Sequence, residues 1–358
     1  MIFGKQNLLI AAHFFLGFIL WQFPAPTGIS LQAWHLLIIF MVTILGIITS
    51  PLPMGAVSLV SICLTVVTGT LTLKECLGGF GSDIVWLVLF AFFISLGFTK
   101  TNLGSRIAYM FIAKFGQSTL GLAYGLVLSE LCLSPLIPSV TARGGGIIYP
   151  IAHSLSESYT NSNSKSPSKR TGGFLMQVCI QSNVITSALF ITAMAANPLI
   201  VKLAMDTSGI EITWLGWAKA AIVPGLINLL LMPLLLYFVY PPHIKRSDNA
   251  PRIAKEKLAE MGKVKSGEKI MLATFILLIS LWIWGPTSVY RITAPLTALI
   301  GVTILLLTGV LKCDDTISDK AAWHTFLWFA TLVMLSGFLS KLGIMSWIGA
   351  TINSSITG

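Results

Sequence analysis

Residues Ser134 to Pro150 read SPLIPSVTARGGGIIYP, and they fall where a buried apolar helix ought to continue. An apolar run from Leu120 to Leu133 precedes them, and a shorter one ending near Leu155 follows. Pro135 and Pro138 each remove a backbone donor, and Gly144, Gly145 and Gly146 hold a helix poorly. In hydrocarbon an unpaired backbone group costs several kcal/mol, so irregular backbone survives there only inside protein or beside a cavity. The pattern predicts a re-entrant hairpin, about 118–156, with a polar tip. Interrupted helices of this kind build the binding sites of secondary transporters.

That argument needs a membrane, and composition supplies one. Of 358 residues, 55% are hydrophobic and 10% charged, with a mean hydropathy of +0.84. Soluble domains carry about 25% charge, so the expected fold is an all-α polytopic membrane protein. Apolar spans fall near 7–23, 32–49, 52–70, 83–99, 173–204, 213–240, 270–285, 292–311 and 323–340. The first follows Lys5 and is read as a retained span, since Pro24-Ala25-Pro26 is a poor cleavage site. An amphipathic piece, Leu103 to Phe115, is expected to lie in the interface as an arm. Residues 157–171 (ESYTNSNSKSPSKRT) are read as a polar loop.

The net charge of +10 does not point to nucleic acid, because the basic residues sit in loops between spans. The positive-inside rule accounts for them with a cytoplasmic N-terminus. The segment 241–269 carries eight Lys/Arg against four Asp/Glu and is expected to be cytoplasmic. Five cysteines form no CxxC pair, and five histidines form no HExxH motif. No zinc site, disulfide framework, cofactor site or enzyme active site is suggested.

Two stretches echo each other. LGFTKTNLG (Leu96 to Gly104) and SGFLSKLG (Ser336 to Gly343) each close an aromatic-rich span and precede an amphipathic piece. Gly97 against Gly337 gives an offset of about 240 residues, as inverted repeats do. The chain then divides into an N-terminal helix (1–31), a first repeat (32–240), a basic loop (241–269) and a partial second repeat (270–358). A second copy of Ser139–Arg143 would fall near position 379, so the second repeat is expected to be incomplete.

A second polar run, Gln181 to Ser187, is expected to interrupt the fifth span near its middle, with Thr192 and Asn197-Pro198 further on. Isolated polar residues in spanning helices are usually interhelical contacts worth about 0.6 kcal/mol. A cluster beside a proline-broken hairpin suggests more: two breaks meeting at mid-bilayer depth would turn hydroxyls and N–H groups toward an anion. Candidate substrate-binding residues are Ser139, Thr141, Arg143, Asn183, Thr186, Ser187 and Asn197. Arg143 has a functional reading, a bidentate grip on a substrate carboxylate, and a bland one, either snorkelling toward cytoplasmic water or pairing with Glu130. A sodium ion is conceivable near Ser139, the Val140 backbone and Thr186, held by carbonyls at opposing helix ends.

With both stretches in view, the sequence resembles the divalent anion/sodium symporter family. It is most similar to the branch of 2-oxoglutarate/malate translocators and citrate/succinate exchangers. The residues that carry this are Ser139-Val140-Thr141-Ala142-Arg143, the exit GGGIIYPI, and TSALFITAMAANPL from Thr186 to Leu199. The resemblance implies a homodimeric, inverted-repeat carrier of elevator type, moving C4–C6 dicarboxylates; the membrane expected is a bacterial inner membrane, since no Arg/Ser-rich segment of plastid type precedes the first span. It implies that Ser139 and Thr141 contact a substrate carboxylate. Val140 stands where the family's asparagine organises sodium, which implies dicarboxylate exchange and leaves sodium coupling open. Alternatives are an inorganic-anion permease of the same architecture and a non-transporting fragment of a dicarboxylate carrier.

Overall fold

Side chains cap the starts of several helices in this protein. In the computed structural model, which describes residues 2–158, 168–246 and 249–357, every named element is a helix. Residues 159–167 of the anticipated polar loop lie outside the described residues, and Ser168–Thr171 already belong to a helix. In chain order the helices are α1 (Ile2–Trp21), α2 (Leu31–Thr49), α3 (Met54–Val67), α4 (Leu73–Leu77), α5 (Asp83–Thr101) and α6 (Leu103–Phe115). Next come α7 (Thr119–Leu133), α8 (Val140–Arg143), α9 (Tyr149–Ser158), α10 (Ser168–Leu189), α11 (Ala196–Ser208) and α12 (Trp214–Val239). The last six are α13 (Asn249–Met261), α14 (Ser266–Trp284), α15 (Ala294–Leu307), α16 (Cys313–Ser318), α17 (Lys320–Lys341) and α18 (Ile344–Thr357). Ser30, Ser118 and Thr213 cap α2, α7 and α12, each side-chain oxygen accepting from the N–H three residues on.

Among the described residues, five helices are long and apolar enough to cross a bilayer: α2, α5, α12, α14 with the turn after it, and α17. The chain is a multi-pass membrane protein. The spans anticipated at 52–70 and 292–311 are shorter than expected, 14 residues each in α3 and α15. Both stop at a Thr-Gly turn. Gly69 and Gly309 adopt φ +67° and +72°, which a Cβ would disfavour. The two turns share their bonding: Thr68 and Thr308 donate Oγ1–H to the carbonyls of Leu64 and Ile304, and Leu71 and Leu311 N–H reach Thr65 and Leu305. They lie 240 residues apart, the same offset as Gly97 and Gly337.

Two compact units divide the chain. One comprises residues 1–89, 199–211 and 319–358; the other comprises 90–198 and 212–318. In the first, α17 packs on α2, α3 and α4 around Leu36, Ile62, Leu71, Cys76, Leu335 and Leu339. Gly79 lets backbone touch backbone there, since a Cβ would stand 2.3 Å from the Ala330 carbonyl oxygen. In the second, α10 packs against α7, α9 and α12, and α6 packs against α7 and α13.

The amphipathic piece at Leu103–Phe115 is helical, as its periodicity predicts, but its arginine is not on a solvated face. Arg106 is 8% exposed and donates to both carboxylate oxygens of Glu268 at the start of α14, at 2.5 and 3.2 Å. It also donates to the Met261 and Gly262 carbonyls at the end of α13. The basic segment 241–269 is therefore strapped to α6 rather than left as a plain loop. The partition by sequence repeat into 1–31, 32–240, 241–269 and 270–358 is of another kind, and each compact unit draws on both of the proposed repeats.

Candidate functional site

The first break is real and short. α7 ends at Leu133, and Ser134–Ser139 form no regular structure before α8 begins at Val140. Ser139 caps the new helix, its Oγ accepting from Ala142 N at 3.1 Å. The three glycines do not break the chain again. Residues Gly144–Ile148 form a π-helical turn that joins α8 to α9. Gly144 has a reason to lack a side chain: a Cβ would lie 2.8 Å from Nδ2 of Asn183 on α10. Gly145 and Gly146 are exposed.

The second break is displaced from where the polar run suggested. Gln181 to Ser187 lie inside the unbroken helix α10, and the chain leaves helical geometry only at Phe190. The hydroxyls explain why the polar run stays helical. Ser182, Thr186 and Ser187 donate back to carbonyls of the preceding turn, at Cys179 and Asn183. The true break, Phe190 to Ala195, holds a single 3₁₀ turn between two extended residues. It is closed by Asn197, whose Nδ2 donates to the Ser187 and Phe190 carbonyls at 2.7 and 2.9 Å and so satisfies the end of α10.

The two breaks meet. Thr192 on the second donates Oγ1–H to the Pro135 carbonyl on the first and accepts from Trp214 Nε1 at 3.1 Å. Arg143 is the principal tie. It is completely buried and donates from Nε to Glu130 Oε1 (2.5 Å) and from Nη1 to the carbonyls of Ile137 (2.6 Å) and Ala193 (3.0 Å). Nη2 donates to Ser187 Oγ at 2.8 Å. Four of the guanidinium's five N–H groups thus have protein partners. Of the two readings of Arg143, the structure shows the pairing with Glu130, and not snorkelling.

Glu130, on α7, is the matching hub. Its Oε1 also accepts from Asn183 Nδ2 at 2.6 Å, and the Thr186 hydroxyl, 3.3 Å away, shares its one proton between Oε1 and the Asn183 carbonyl. Oε2 has no hydrogen-bond partner among the described residues. Sequence reasoning weighed Glu130 as a mate for Arg143 and as a proton carrier that has no second acidic residue beside it in the hairpin. The signal for more was visible, since a lone acid in an apolar helix is costly unless it is used.

The seven candidate residues therefore fall into two groups. Arg143, Asn183, Thr186, Ser187 and Asn197 are buried, and each bonds to protein atoms at or beside a break. Ser139 is half-buried and Thr141 is exposed at the first tip, next to exposed Ala142. Helical runs start at Val140 and Ala196, so both breaks carry the positive end of a helix dipole, and the ends of α7 and α10 supply the negative ends. Of the atoms considered for sodium, the Val140 carbonyl accepts from Asn183 Nδ2 at 3.3 Å, and the Thr186 hydroxyl proton lies between Glu130 Oε1 and the Asn183 carbonyl. Val140 adds no side-chain oxygen.

The chain is 51% identical over 361 residues to the "Putative malate transporter YflS" of Bacillus subtilis, covering 99% of this chain and 75% of that one. It is 46% identical to "Dicarboxylate transporter 1, chloroplastic" of Spinacia oleracea, covering 99% of this chain and 62% of that protein. The "L-tartrate/succinate antiporter" of Escherichia coli is 34% identical, with 94% of this chain and 72% of the antiporter covered. The chain thus spans between about three fifths and three quarters of these relatives. The family model for the sodium:sulfate symporter transmembrane region matches residues 5–358, and the chain belongs to that family.

Proposed function

We infer that this protein is a secondary transporter of small dicarboxylates, of the malate, succinate and 2-oxoglutarate type, working by exchange. The observation that carries the reading is the meeting of two interrupted helices whose buried charges cancel. Arg143 and Glu130 neutralise each other, so a dianion is held by neutral donors: the Ser139 and Thr141 hydroxyls and the helix start at Val140. Such a site releases its ligand readily and suits exchange. The names of the relatives, a malate transporter, a dicarboxylate transporter and a tartrate/succinate antiporter, point the same way.

Val140 offers no side-chain oxygen where the family's asparagine would stand, which weighs against sodium coupling. The turns at Thr68–Leu71 and Thr308–Leu311, alike in sequence and bonding, support the reading of two repeats. Two repeats in turn support an elevator mechanism in a homodimer. The distribution of basic residues supports an N-terminus in the cytoplasm, and the relatives from Bacillus subtilis and Escherichia coli support a bacterial inner membrane.

The test is counterflow. Proteoliposomes containing the protein that carries this sequence, preloaded with unlabelled malate, are expected to accumulate labelled malate or 2-oxoglutarate without a sodium gradient. Uptake that requires sodium would contradict exchange. Uptake of sulfate but no dicarboxylate would favour an inorganic-anion permease, and no uptake of either would favour a non-transporting fragment.

A further inference from the structure

We propose that Arg143 and Glu130 are positioning residues, a buried ionic staple that fixes the two breaks against each other, and that Arg143 does not touch the substrate. The proposal rests on the transport reading above but concerns a different question, namely which residue grips the anion. An arginine beside the tip of a dicarboxylate site invites assignment as the carboxylate clamp. The bonding argues otherwise.

Three observations carry it. First, the guanidinium is committed in every direction: to Glu130 on α7, to the Ile137 carbonyl on the first break, to the Ala193 carbonyl on the second, and to Ser187 on α10. A side chain that gripped a substrate carboxylate bidentately would need two adjacent N–H groups free, and only one remains. Second, Arg143 and Glu130 are both fully buried, whereas Thr141 and Ala142, beside Arg143 in sequence, are exposed. The substrate therefore meets the outward side of the tip, and the staple lies behind it. Third, Glu130 Oε1 gathers Asn183 and Thr186 as well as Arg143, so one carboxylate oxygen ties α7, α8 and α10 together. Loss of either charge strands the other in a low-dielectric site, whereas loss of both does not.

The experiment compares E130Q, R143Q and the double variant E130Q/R143Q in proteoliposomes and in thermal unfolding. Gln at 130 keeps the acceptor for Asn183 and Thr186 and removes only the charge. Each single variant is expected to lower the exchange rate at least about tenfold and to lower the Tm. The double variant is expected to regain at least about threefold over the weaker single variant, with KM within about threefold of the original protein. A double variant no better than R143Q would overturn the proposal. So would an R143Q protein with a KM raised about a hundredfold beside a nearly normal E130Q.

A second measurement needs no variant. Phenylglyoxal labelling mapped by peptide mass spectrometry should modify exposed Arg252 and leave Arg143 unmodified, with or without succinate. Modification of Arg143 in the empty carrier, prevented by succinate, would assign it to the substrate instead. Should the original protein exchange no dicarboxylate, the transport reading fails, while the order of Tm values and the labelling pattern still decide the staple.

Discussion

Two buried arginine–glutamate pairs hold the second unit together, and they differ in how completely they are satisfied. Arg106 and Glu268 join α6 to the start of α14, where Glu268 also accepts from Lys265 N at 2.7 Å and sits at a helix N-terminus. Both carboxylate oxygens are used, and the pair borders the polar segment 241–269. Arg143 and Glu130 are wholly buried, and one carboxylate oxygen has no partner among the described residues. One pair is a closed strap at the edge of the apolar region. The other is concentrated on irregular backbone, at the place where the chain gives up helical hydrogen bonds twice. A burial that costly is retained where it fixes a geometry that apolar packing would not specify.

The sharpest way to break the comparison is to remove each arginine. R143A is expected to destabilise the folded protein by about 3–5 kcal/mol, because Glu130 is left fully buried with only Asn183 and Thr186 as donors. R106A should lose less, about 1–3 kcal/mol, since Glu268 keeps its bond from Lys265 and the favourable helix end. Chemical unfolding in detergent measures both. Equal losses would mean that the two environments are energetically alike.

A smaller effect tests the contact between α8 and α10. Gly144→Ala puts a methyl 2.8 Å from the Asn183 amide, which is itself held by Glu130. The expected loss is about 1–3 kcal/mol, accompanied by slower exchange. Gly146→Ala, with open space around it, is the control and should cost no more than a few tenths of that.

The smallest effect lies outside the spans. The Lys100 ammonium, helped by the Lys312 N–H, holds the Asp315 carboxyl below the usual aspartate range. A depressed carboxyl contributes stability above its unfolded value, near pH 3.9, and loses it as pH falls through the folded value. D315N is therefore expected to lower the Tm at pH 7 and to lower it progressively less as the pH falls below about 4. A D315N effect that grows on acidification would reverse the sign of this account.

Much of this was legible in the sequence. Pro135 and Pro138 located the first break because proline removes donors wherever it stands. The Ser139–Arg143 motif and the stretch from Thr186 to Leu199 located the meeting partners. The glycines were harder to read. Gly144–Gly146 suggested a further break by propensity, yet a π-helical turn carries them, and Gly144 is needed for close approach to Asn183. The polar run Gln181–Ser187 also misled, because serine and threonine can bond back to their own helix. What ends α10 is Asn197, ten residues past Ser187, and such a cap is invisible until the chain folds back. The buried partner of Arg106 was hidden for the same reason, since Glu268 lies 162 residues away.

The central claim is that a dicarboxylate sits where the two breaks come together. T141C at the first tip and A195C on the second break, each introduced with Cys63, Cys132 and Cys313 replaced by serine and with Cys76 and Cys179 left buried, allow a direct test by maleimide labelling. The account predicts that saturating succinate slows labelling at both positions by at least about tenfold, whereas the same concentration of acetate does not. Labelling rates that are unchanged by succinate at both positions, in protein that exchanges dicarboxylate, would contradict it.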